Sequence, residues 1–288
     1  MNWGRLIYCC VVFKTAITLL LFILIPGLKI HAQEILKGKI IYEKDSTPIP
    51  FASIKLLNHT AGSISDTSGN FALSLPALKQ WDTLLISSVG FESLKIPAQK
   101  AVLKSKFALQ GFSKNLESVI VRSFSKEEVA GAKSEIVGYY RSWNTQKTGG
   151  EIGRSFLVTH KEYQVAKVRF KIYSNCDTSI VRLHIRELIN GQPGRELLTD
   201  SVAQIINNAT LADKAYEFNL SQYNIILSQK DIFVSFEVLA GSKSNNSPCS
   251  FSFVGSELGS YLYKSNYNDS WHFRDDYAIF MKVFFKHD

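Results

Sequence analysis

The sequence predicts an all-β chain built as two successive sandwiches, and three observations carry that expectation. Short runs alternate apolar and polar side chains, as strands with one buried face do. These runs are rich in β-branched and aromatic residues and are punctuated by Gly, Pro, Asn and Asp. No amphipathic helical periodicity follows residue 32.

Residues 1–32 read as a secretory signal peptide. Arg5 and Lys14 precede the apolar run 15–25, Pro26 and Gly27 break it, and cleavage is expected after Ala32. An uncleaved membrane anchor is the competing reading, but the run is short of the roughly 20 apolar residues of a spanning helix. Cys9 and Cys10 lie inside the segment rather than after a lipobox, which argues against a lipoprotein. The chain is therefore expected in the periplasm, outer membrane or cell surface, with no spanning segment after signal removal.

Losing Arg5, Lys14 and Lys29, and no acid, takes the formal charge from +8 to +5. The remaining basic residues are scattered among acids, without the Lys/Arg stripe of a nucleic-acid binder. Cys176 follows the strand-like VAKVRFKIYSN and Cys249 opens CSFSF, so the two are expected to pair in an exported protein. Two separate thiols are the alternative.

In the first half, the predicted strands are ILKGKIIY (35–42), FASIKLL (51–57), NFALSL (70–75), TLLISSV (83–89), FESLKI (91–96), KFALQ (106–110) and ESVIVRS (117–123). Residues 33–123 are assigned to this domain. Residues 124–135, charged and poor in large apolar side chains, read as a linker. Residues 136–288 resume the β pattern, with YQVAKVRFKIYS, SIVRLHIREL, AYEFNL, DIFVSFEVL, CSFSFVG, SYLYKS and YAIFMKVFFK as strands. Two long strands, long loops and a closing aromatic strand predict a jelly-roll-like sandwich. In SIVRLHIREL, Val181, Leu183 and Ile185 form the apolar face, opposite Arg182, His184 and Arg186.

Asp66-Thr67-Ser68-Gly69 invites two chemical readings. An aspartic protease needs two aspartates sharing a proton, and a calcium loop needs further carboxylates at regular spacing; only Asp66 is present. A type I turn explains the residues, with Asp at its first position and Gly at its fourth, as a hairpin between GSIS and NFALSL.

With its flanks the turn becomes specific. Gly38, Pro48-Ile49-Pro50-Phe51-Ala52-Ser53-Ile54, Asp66-Thr67-Ser68-Gly69-Asn70-Phe71 and Ser87-Ser88-Val89-Gly90-Phe91 together resemble the carboxypeptidase-D regulatory-like domain over residues 35–110. The resemblance implies a small transthyretin-like sandwich with Asp66, Gly69 and Gly90 as turn residues and no catalytic group. It also implies a Bacteroidetes-type envelope protein, similar to the N-terminal extension of TonB-dependent receptors but without their plug and barrel. An accessory role in TonB-dependent uptake follows as an alternative function.

No cofactor motif is present, and neither the histidines nor the cysteines pair at metal-ligand spacing. His272, Asp275 and Asp276 form the best acid/base group, but no GxSxG-like nucleophile accompanies them, and a hydrolase is the lesser reading. The same region holds Tyr261, Tyr263, Tyr267, Trp271, Phe273 and Tyr277. Alternate aromatics fill sandwich cores, whereas an exposed Trp271 with Tyr267, Asn268 and Asp269 would suit a sugar. The resulting expectation is a non-catalytic module that binds an envelope protein or glycan.

Overall fold

Alternation decides which side of each strand is buried. In Asn70–Leu75, Phe71, Leu73 and Leu75 are buried while the residues between them are exposed, and they meet Ala52, Ile54 and Leu56 in one core. The computed structural model describes residues 34–59, 61–111, 124–144, 149–198, 201–207, 215–228, 230–245, 247–257, 259–266 and 269–288. The expected signal segment and the strand expected at 117–123 lie outside the described residues.

The first sandwich comprises β1 (Glu34–Tyr42), β2 (Ser53–Leu56), β3 (Gly62–Ile64), β4 (Asn70–Leu75), β5 (Thr83–Ser87), β6 (Leu94–Pro97) and β7 (Lys106–Leu109). A single helical turn, α1 (Ala98–Ala101), precedes β7. Its sheets run in the orders β4-β1-β7 and β3-β2-β5-β6, and β1 and β7 pair in parallel, Ile40 opposite Phe107.

The second sandwich comprises β8 (Lys126–Gly131), β9 (Glu135–Asn144), β10 (Gly150–Phe156), β11 (Glu162–Ser174), β12 (Thr178–Ile189), β13 (Gln192–Glu196) and β14 (Val202–Asn207). It continues with β15 (Ala215–Asn219), β16 (Ile226–Ser228), β17 (Ile232–Ser242), β18 (Ser250–Ser256), β19 (Tyr261–Lys264), β20 (His272–Arg274) and β21 (Met281–His287). One sheet runs β13-β12-β17-β10-β19-β20 with β14 on β12; the other runs β8-β21-β11-β18-β9 with β15 and β16 on β11. Their shared core is aromatic: the Phe170 ring lies 3.9 Å from Phe236 and 5.8 Å from Phe253. Tyr261, Tyr263, Tyr277 and Trp143 are buried in it. A Cys176–Cys249 disulfide joins the ends of β11 and β18. The fold is all-β, and no helix among the described residues is long and apolar enough to cross a membrane.

Two local expectations are corrected. The turn at Asp66–Gly69 does not close a hairpin, because β3 pairs with β2 and β4 belongs to the other sheet. It is an arch between sheets, held by Asp66 Oδ1, which accepts from Ser68 N–H and Asn70 N–H at 2.8 Å each. Ile40 N–H also donates to the Gly69 carbonyl. The expected linker at 124–135 contains β8, which pairs with β21 from Lys126 to Gly131. Its charged residues suit a sheet edge, where exposed Lys and Glu discourage further strand pairing.

Candidate functional site

The polar face of β12 meets the first sandwich rather than solvent. While Val181, Leu183 and Ile185 enter the core, Arg182, His184 and Arg186 line a cleft of about 570 Å³. The opposite wall is Ser53 and Lys55 on β2, which point away from the Ile54/Leu56 core, and the segment Ser87–Phe91 after β5. Arg182 spans the cleft: Nη1 donates to the Phe51 carbonyl at 2.6 Å and Nη2 to Ser53 Oγ at 2.8 Å.

Strand register builds the rest. Arg182 is opposite Glu237, Glu237 opposite Glu151, and Glu151 opposite Lys264, so four neighbouring strands present one charged row on one face. Lys264 Nζ lies 2.7 Å from Glu151 Oε2. Arg186 donates to Glu151 and, at 2.9 Å, to Ser235 Oγ. His184 is clamped between carboxylates, Nδ1 at 2.6 Å from Glu196 and Nε2 at 2.9 Å from Glu237. Both ring nitrogens are thereby engaged by carboxylates of the cleft.

The cations decide the electrostatics. Burial works to raise the Glu151 carboxyl, but Arg186 and Lys264 hold it well below the usual carboxylate range. Burial opposes ionisation of Glu237 too, and Arg182 with the His184 hydrogen bond overrides it. Burial pushes the Lys55 ammonium down to about 8, helped by neighbouring Lys264. The lining holds five cations (Lys55, Arg182, Arg186, Arg195, Lys264) against three carboxylates (Glu151, Glu196, Glu237), a net positive seat. Ser88 Oγ, on the wall of this cleft, is buried without a hydrogen-bond partner among the described residues.

The sequence-predicted residues distribute unevenly. Trp271 is half-buried, edge-on to Phe233 at 5.1 Å, with Lys264 Nζ 5.0 Å and Arg186 Cζ 5.9 Å from its ring. It therefore stands beside two of the cations that line the cleft, without itself lining it. Tyr267 and Asn268 lie outside the described residues. Asp269 faces His272 at 2.9 Å and accepts from Ser265 N–H, so His272 pairs with Asp269 rather than with Asp275 or Asp276. All three members of the expected acid/base group are exposed. Gly90 adopts φ +85° in the turn that carries Phe91 into the cleft wall.

The cleft residues were readable as a pattern but not as a site. Glu237 stands inside the apolar run DIFVSFEVL, and a lone carboxylate there signals a buried partner. Three basic residues alternating along SIVRLHIREL are the complementary signal.

Comparison with known proteins bears on the first sandwich. Residues 36–121 match the model of the CarboxypepD_reg-like domain. No curated protein is significantly similar to the chain. Among solved structures, the clostridial cysteine protease Cwp84 after propeptide cleavage is similar at 9% identity, over 88% of this chain and 70% of that one, with a TM-score of 0.39. The cysteine protease and lectin-like domains of Cwp84 from Clostridium difficile match at 11% identity over 88% and 58%, with a TM-score of 0.34. The VP2 subviral particle of infectious bursal disease virus matches at 11% identity over 88% and 64%, with a TM-score of 0.29. Scores this low carry no argument about function. Residues 36–121 are thus similar to the CarboxypepD_reg-like domain, and the described part of that match, up to residue 111, is the β-sandwich that forms one wall of the cleft.

Proposed function

We propose that the chain is an exported, non-catalytic interaction module that seats an acidic saccharide in the cleft between its sandwiches. The observation that carries this reading is the placement of Trp271 beside Lys264 and Arg186, two of the cations that line a net positive cleft. A pyranose ring offers an apolar C–H face to an indole, and its carboxylate or sulfate is matched by Lys and Arg. Ser87, Ser88 and Ser93 on the opposite wall supply hydroxyl partners. The clamped His184 supports binding over proton-transfer chemistry. Export is supported by the charged, apolar, then Pro-Gly order of residues 5–27 and by a disulfide suited to an oxidising compartment.

Affinity electrophoresis through gels containing a uronic-acid polymer or a neutral glucan tests the reading. Retardation is expected in the acidic gel alone, abolished in Trp271→Ala and reduced in Lys55→Gln. Because Lys55 is charged only below about 8, retardation should weaken as pH rises through that value. A wild-type protein that migrates identically in both gels rules the proposal out.

A further inference from the structure

A second cluster lies where the chain crosses between the sheets of the second sandwich. β8 pairs with β21 so that Glu128 is opposite Phe285 and Lys126 opposite His287, which makes Glu128 and His287 diagonal neighbours on one face. His160 arrives from residues 157–161, between β10 in one sheet and β11 in the other. Its ring stacks on His287 with centroids 3.7 Å apart and planes 12° from parallel. His160 Nε2 is 2.6 Å, and His287 Nε2 4.0 Å, from the same Glu128 oxygen. The three ligand atoms all lie within 4.8 Å of one another. None of the three residues lines the charged cleft.

His287 Nδ1 is 3.0 Å from the main-chain oxygen of Asp288. That oxygen accepts, so the hydrogen bond engages Nδ1 as the donor and leaves Nε2 as the nitrogen facing the cluster. A main-chain acceptor on the second ring nitrogen is how metal-bound histidines are oriented.

We propose that Glu128, His160 and His287 bind a divalent transition-metal ion of the zinc class. Two imidazoles and a carboxylate satisfy three positions of a tetrahedral ion and leave the fourth for water. Imidazole ligands select against calcium and magnesium, which take oxygen donors. Metal–ligand bonds of roughly 2.0–2.2 Å place tetrahedral ligand atoms about 3.3 Å apart. Entry of the ion would lengthen the 2.6 Å His160–Glu128 contact, shorten the 4.0 Å His287–Glu128 one, and swing the two stacked rings out of parallel so that each Nε2 points at the ion. It would also take the place of the His160–Glu128 hydrogen bond. Glu128 is half exposed, with 50% of its side chain accessible, so the ion has an entry path. No spacing motif announces the site, because its ligands come from three distant parts of the chain.

The test is calorimetric titration of ZnCl2 into purified, chelator-treated protein, with visible absorption of the cobalt(II) form as a second readout. One ion per chain is expected, weakened about 10-fold or more in His160→Ala and in Glu128→Gln, and unchanged in His272→Ala. Zinc-induced NMR shifts of the His160 and His287 ring protons in the wild type check the same site without any substitution. The proposal is overturned if the wild type shows no saturable binding, if the His160→Ala/His287→Ala double variant binds as tightly, or if the shifts map elsewhere.

Discussion

Arg182 and Glu237 face each other across β12 and β17, with Arg182 Nε at 3.0 Å and Nη2 at 2.8 Å from one carboxylate oxygen. The same guanidinium reaches the Phe51 carbonyl and the Ser53 hydroxyl of the first sandwich. Both side chains are almost wholly buried, at 3% and 5% exposure. One cation therefore neutralises a carboxylate of the second sandwich and satisfies the backbone of the first.

Removing Arg182 leaves Glu237 buried with a diminished partner set, and breaking a buried pair costs about 3–5 kcal/mol. Arg182→Ala should lose stability of that order in urea denaturation. The double variant Arg182→Met/Glu237→Leu removes both members of the pair, leaves His184 to Glu196 alone, and should recover part of the loss. Recovery that is absent would show that the contacts to Phe51 and Ser53, rather than the ion pair, dominate.

The buried carboxylates make a prediction about acid. Glu151, Glu196 and Glu237 are all held below their ordinary value of 4.5 by neighbouring cations, against the opposing pull of burial. A carboxyl whose folded value is depressed contributes stability that is complete above its unfolded value and drains as pH falls toward the folded one. Thermal midpoints should therefore be flat near neutrality and fall steeply below about pH 4.5. Glu196→Gln, which removes one of the three groups, should flatten that acid limb; an unchanged slope would remove Glu196 from the account.

The disulfide predicts a redox effect on stability. Cys176 follows β11 and Cys249 precedes β18, two strands paired with Ser174 opposite Phe251. The bond closes a loop with a sequence separation of 73, for which chain entropy gives about 4 kcal/mol, a model-dependent figure. Cys176→Ser/Cys249→Ser should lower stability by about 2–5 kcal/mol. The wild type under dithiothreitol should match it in guanidinium titrations.

Much of the strand pattern was legible because a period of two is a local property. Phe71, Leu73 and Leu75 declare their buried face without knowledge of anything else. The partner of a polar face is not local. Arg182, His184 and Arg186 alternate as a solvated edge would, and only the packing of β2 and Ser87–Phe91 against them makes a cleft. Residues 126–131 misled for the opposite reason: a charged edge strand and a linker share a composition, and hydrogen bonding to β21 distinguishes them. Glu128, His160 and His287 are brought together by strand register and a sheet crossing, neither of which leaves a spacing in the sequence.

The arch at Asp66–Gly69 yields the last prediction. Gly69 adopts φ +78°, and a Cβ built there would lie 2.5 Å from the Ile40 carbonyl oxygen, a backbone atom that β1 holds in place. Gly69→Ala therefore meets both a left-handed conformation and a fixed obstacle, and should cost about 1–3 kcal/mol. Asp66→Ala forfeits an acceptor for the amides of Ser68 and Asn70. Its cost should be about 1 kcal/mol, and Asp66→Asn, which keeps an amide oxygen in the same place, should restore most of it. That rescue separates a turn-maker from a catalyst or calcium ligand, since either of those roles needs the carboxylate charge that Asn lacks. Chemical denaturation of the three variants, with and without added calcium, reads the difference: stability of Asp66→Asn close to wild type and well above Asp66→Ala, insensitive to calcium, is the outcome that the hydrogen-bond geometry predicts.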